Sequence, residues 1–138
     1  MKIKSAPIIL FGISLILTSC LKDGESELRA VVNEMHDELI EYGKNMVRAA
    51  NSKEVADEIV RHNRKLIEFA DVLRKLGEKY PALNNENYRK KYQNDALIEE
   101  INKKVNPVLE KYSGESEVLE AYQKIIEEMQ VEPTTSGG

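Results

Sequence analysis

The amino-acid sequence predicts an all-α domain, and three observations carry that prediction. Apolar residues recur at alternating steps of three and four over long stretches, which places them on one stripe of a helix. Runs of β-branched and aromatic residues bounded by turn residues, the mark of strands, are missing. The composition, 41% hydrophobic and 32% charged, belongs to a folded helical protein and not to a disordered chain. With 138 residues the chain has the length of one domain. Its net charge of −4 repels nucleic acid instead of attracting it.

The first predicted helix carries Leu28, Val32, Met35, Leu39, Tyr42, Met46 and Ala49 at heptad seam spacing, with Asp23 or Ser26 as candidate caps. A second seam runs through Val55, Ile59, His62, Leu66, Phe69, Leu73 and Leu76. Asn51 and Ser52 fit the turn and N-cap between the two, and Pro81 ends the second helix. Asn84 or Asn85 caps a short helix with Tyr88, Tyr92 and Ala96. The apolar face then swings to Ile98, Ile101, Val105, Val108 and Tyr112, which predicts a bend or a fresh cap near Asn94 and Asp95. Pro107 should kink this later stretch, because its ring clashes with the carbonyl four residues back. Ser113-Gly114 reads as a helix end and turn. The last helix shows Val118, Leu119, Tyr122, Ile125, Ile126 and Met129 and stops before Pro133.

Four amphipathic helices joined by short turns predict an up-down-up-down antiparallel four-helix bundle over residues 26–131. The alternative is a long helical hairpin that dimerises through its heptad seams. Residues 132–138 have no apolar pattern and are expected to form a flexible tail.

The amino-terminal segment is of another kind. Lys2 and Lys4 precede an apolar run of 12 residues, Ala6 to Leu17, too short for a hydrocarbon core that needs about 20. A basic start, a short apolar region and small residues at its end form a secretory signal. The ending Leu17-Thr18-Ser19-Cys20, with the chain's single cysteine, resembles the lipobox of bacterial lipoprotein precursors. The resemblance implies a signal peptide over residues 1–19, diacylglycerol on the Cys20 thiol, cleavage just before Cys20 and acylation of the freed amine. Two or more acyl chains anchor firmly where one holds only marginally. Residues 20–25 then form the lipidated cysteine and a short tether. In enteric bacteria an aspartate after the lipidated cysteine tends to retain such proteins in the inner membrane. Leu21 stands there, so the resemblance points to the outer membrane. It covers Met1 to Cys20 and implies nothing about the downstream fold.

The rest of the chain offers little chemistry. His62 lies in the second seam and is expected to face Tyr42, hydrogen-bonded to a tyrosine or a backbone carbonyl, while His36 sits at the edge of the first stripe. His62 is a weak candidate for a haem or metal ligand, with Met35, Met46 and Met129 as conceivable partners. C-x-x-C-H, paired Glu-x-x-His, H-E-x-x-H and Gly-rich phosphate loops are absent from the sequence, so neither enzymatic activity nor a cofactor is expected.

Two sets of surface residues are candidates for binding. Arg89, Lys90 and Lys91 would lie near the membrane-proximal end and touch anionic head groups, at about 1 kcal/mol per basic residue. Arg48, Asn51, Lys53, Glu54, Glu115 and Glu117 would display a recognition surface on the distal turns. Leu28, Val31, Val32, Leu73 and Leu76 would line an apolar groove for a lipid or a partner helix, and the alternative is that Leu83, Tyr88 and Tyr92 fill it. The function expected is that of an envelope lipoprotein binding a protein partner or serving as an adaptor. A small-ligand carrier (haem, metal or lipid) and a self-associating spacer, a homo-oligomer, are the alternatives.

Overall fold

A computed structural model describes residues 24–131. The leader, Cys20, most of the tether and the tail from 132 onward lie outside the described residues. Helix α1 spans Glu25–Arg48, α2 Ser52–Lys79, α3 Glu86–Tyr92, α4 Asp95–Tyr112 and α5 Ser116–Val131, with a single 3-10 turn at Pro81–Leu83. The chain is all-helical as expected, and no strand occurs among the described residues.

Local chemistry sets these boundaries. Asn51 opens α2: its Oδ1 accepts the Glu54 N–H at 3.0 Å, while Glu54 Oε2 accepts the Ala50 N–H at 2.8 Å. The first bond satisfies a donor that the helix start leaves without a partner, and the second ties the residue before the cap to the first turn. Asn85 accepts the Asn87 N–H at 2.7 Å and Asn94 the Leu97 N–H at 3.1 Å. The predicted third element is therefore two helices with a cap each, and Ala96 belongs to the second of them. The first helix begins at Glu25, ahead of the expected cap Ser26, which lies within its first turn. Helical structure continues on both sides of Pro107, where buried Val105 and half-buried Val108 and Leu109 fasten the turns around the proline to the core.

The chain divides into two compact units. The first comprises residues 24–33 with 70–93, the second residues 34–69 with 94–131. In the second, α1, α2, α4 and α5 all contribute to one core of Met46, Val55, Ala56, Ile59, Ile101, Val105, Val118 and Ala121. Met46, Val55 and Val118 are fully buried. Gly43 permits the close approach of α1 and α4, since a Cβ there would lie 2.9 Å from Ile101 Cδ1.

Not every seam residue is covered. Leu66 is exposed, and on α5 the apolar side chains buried or half-buried are Val118, Ala121 and Ile125, while Leu119, Tyr122, Ile126 and Met129 face solvent. The apolar arc of α5 is broader than the strip its neighbours cover.

In the first unit, Gly24 adopts φ +66 with Tyr80 against it, and a Cβ would stand 2.2 Å from Tyr80 Cδ2. No other residue fits there. The Tyr80 hydroxyl donates to Glu27 at 2.7 Å and the Tyr92 hydroxyl to Glu25 at 2.6 Å. Lys79 and Lys91 pair with the same two carboxylates. Asn84 Nδ2 donates to the Gly77 carbonyl at 2.9 Å. Leu76 is buried, while Leu28, Val31, Val32 and Leu73 are half-buried, as are Leu83, Tyr88 and Tyr92.

Candidate functional site

In the second unit a polar cluster interrupts the α1–α2 seam. Glu58, Arg61 and His62 are three and four residues apart on α2 and so share a face, opposite Glu38 on α1. Arg61 donates to Glu38 in a fork, at 3.0 Å from Nη1 and 2.8 Å from Nη2. It also reaches Glu58, at 2.9 Å from Nε and 2.6 Å from Nη2. Asn45 Nδ2 adds a bond to Glu58 at 3.2 Å. Both carboxylates are buried, at 7% and 8% exposure, a placement that ions tolerate only when paired and hydrogen-bonded.

His62 completes the cluster. Its Nδ1 lies 3.0 Å from Glu38 Oε1, and its ring stacks on Tyr42 with centroids 3.9 Å apart and planes 8° from parallel. Tyr42 is the residue it was expected to face. The neighbour it bonds is the Glu38 carboxylate. An ionised carboxylate can only accept, so Nδ1 carries the proton.

The electrostatics follow from burial and pairing. Burial pushes the Glu38 carboxyl up, but Arg61 and His62 together hold it below the ordinary carboxylate value. Glu58 and Glu38 raise Arg61 further above its already high value. Burial lifts the Tyr42 hydroxyl to about 12, assisted by Tyr122 and Glu58. The cluster ties α1 to α2 through Glu38. It presents no activated nucleophile, and among the described residues no three His, Cys, Asp or Glu converge as a metal site.

Beside the cluster lies an open groove of about 420 Å³ lined by Asn45, Arg48, Ala49, Glu54, Asp57, Glu58 and Arg61. Two of the candidate turn residues, Arg48 and Glu54, belong to it. The two turns meet, because Ser52 Oγ donates to Glu117 Oε2 at 3.3 Å. Asn51, Lys53 and Glu115 are exposed at the same turns, with Lys53 paired to Asp57 at 2.8 Å. Arg48 makes no ion pair among the described residues.

The basic stretch belongs to the first unit. Arg89 is exposed, Lys90 lies 3.5 Å from Glu86, and Lys91 bonds to Glu25 while sitting over the Tyr92 ring. Two of its three cations are thus already paired. Cys20 lies outside the described residues. The sequence reading missed the Glu38–Arg61 link, and the available signal was a set of charges directly beside seam positions: Glu38 next to Leu39, and Glu58 and Arg61 next to Ile59 and His62.

Comparison with family models, with curated proteins and with solved structures finds no match to this chain.

Proposed function

We propose that the chain is a lipid-anchored protein of the bacterial envelope, held at the outer membrane through acyl chains on Cys20, whose helical body is a non-enzymatic adaptor or macromolecule-binding module. The observation that carries this reading is Leu17-Thr18-Ser19-Cys20 behind a basic start and a 12-residue apolar run. We read the body as an up-down-up-down four-helix bundle. Its support is the second unit, where four helices share one core and the α1–α2 turn meets the start of α5. That end displays Arg48, Asn51, Lys53, Glu54, Glu115 and Glu117, and a partner engages there.

Detergent phase partition and intact-mass measurement of the purified protein test the anchor. The reading expects partition into detergent and the added mass of acyl chains, both lost in Cys20→Ala. A wild-type protein that stays in the aqueous phase without added mass overturns it. Protease shaving of intact cells then decides between the cell surface and the periplasm.

One observation favours self-association as a second reading. Leu119, Tyr122, Ile126 and Met129 are exposed at steps of three, four and three along α5, the spacing of a helix-pairing stripe. Sedimentation of the wild type against Ile126→Glu tests it, with a mass that falls in the variant as the expected result.

A further inference from the structure

Charge is divided unequally between the two units. The first carries seven Lys and Arg against five Asp and Glu, a net of +2, while the second carries ten against seventeen, a net of −7. The acidity of the whole chain therefore resides in one unit, and the other is basic.

The basic unit also holds the start of the tether. Lys91 and Tyr92 both bond to the carboxylate of Glu25, the first residue of α1. Gly24 is packed against Tyr80. Glu25 follows Cys20 by five residues, a span of roughly 18 Å at full extension. The α3 stretch Arg89-Lys90-Lys91 is thus clamped to the point where the chain leaves for its lipid. Within the stretch, Arg89 has no ion-pair partner among the described residues, and Lys90 keeps 72% exposure beside Glu86.

We infer that the first unit docks on anionic lipid head groups through Arg89 and Lys90, on the lipid leaflet that holds Cys20. The inference rests on the anchoring proposed above. A free protein with a net charge of +2 would bind such a surface only weakly, but each net basic residue near it favours contact roughly fivefold, and two roughly thirtyfold. The tether has already made the encounter intramolecular, so a bias of that size keeps the unit in contact. The second unit, at −7, is repelled by the same surface.

Hydrogen exchange of the 86–93 amides tests the inference, with acylated protein in phosphatidylcholine vesicles compared with vesicles containing phosphatidylglycerol. At 50 mM salt the anionic vesicles should slow exchange at 86–93 severalfold and leave the 113–116 turn unchanged. The slowing should vanish at 500 mM salt, where the Debye length falls to about 4 Å, and in the R89Q/K90Q variant, which brings the unit to net zero. Equal exchange on the two vesicle types, or slowing that survives R89Q/K90Q, overturns the docking. Should the cellular protein prove not to be acylated, the chain from Cys20 onward is coupled through its single thiol to a maleimide lipid and the comparison is repeated. Failure of the anchor and failure of the docking are then read separately.

Discussion

Around Met46, Val55 and Val118, none of which keeps any exposure, four helices of the second unit meet in an apolar core. Around Glu25 and Glu27, by contrast, two tyrosine hydroxyls and two lysines of the first unit close on carboxylates of a helix's first turn. The core draws on burial, which is non-directional and is not weakened by ionic screening. The ties of the first unit are directional and largely exposed, so salt and acid weaken them. Among the described residues the second unit adds a charged cluster whose two carboxylates are buried. The contrast predicts a robust second unit and a first unit whose order depends on conditions.

The largest effect should come from the core. Met46→Ala removes a fully buried side chain that its neighbours cannot replace, at about 3–4 kcal/mol, read as a lower urea midpoint. A loss below about 1 kcal/mol would mean that the site collapses freely and that the core is less close-packed than its burial implies.

Next comes the ion cluster. Arg61→Ala leaves two buried carboxylates without their cation, at about 2–3 kcal/mol, the low side for a buried pair because the guanidinium is a third exposed. Its pH dependence is the sharper readout. In the wild type Glu38 is held below its ordinary value, so its contribution is complete above about pH 4.3 and declines as pH falls through the folded value. Without Arg61, only His62 still opposes burial, and that value rises. The variant should then regain stability as pH drops from 7 towards 5, where the wild type stays flat. A flat profile in both would show that water enters the cluster and screens the carboxylates. Asn51→Ala should cost about 1 kcal/mol through loss of the α2 cap, again from urea midpoints.

The seams of the first two helices were legible because heptad spacing is a property of the sequence itself. Tyr42 facing His62 followed from pairing the helices about Asn51, whereas side-chain chemistry narrowed the next caps only to Asn84 or Asn85 and to a bend or cap near Asn94 and Asp95, of which Asn85 and Asn94 serve. Coverage could not be read in the same way. Leu66, Leu119, Ile126 and Met129 satisfy the same periodicity as Leu39 and Ile59, yet whether a neighbour lies over them depends on the width of the helix contact. The buried charges were hidden for the opposite reason: periodicity assigns Glu38 and Glu58 to solvent, and only the partner Arg61, one helix away for Glu38, makes their burial tolerable.

The smallest effect is the most local, and it tests the first unit alone. Tyr80→Phe keeps the ring against Gly24 and removes only the hydroxyl bonded to Glu27. The bond from Tyr80 is the chief reason the Glu27 carboxyl is held below its ordinary value, with Lys79 adding to it. The variant should exchange the first-turn amides of α1 severalfold faster, Leu28 N–H on the Gly24 carbonyl among them, and leave those near Met46 unaltered. Molar salt should speed the same amides in the wild type by weakening the Lys79 and Lys91 pairs. Acidification through the folded value of Glu27 should do so too, because a depressed carboxyl contributes above its unfolded value and is lost below its folded one. If Tyr80→Phe, salt and acid all leave these amides unchanged, the ring packed on Gly24 holds the helix start. The first unit would then depend on burial just as the second does.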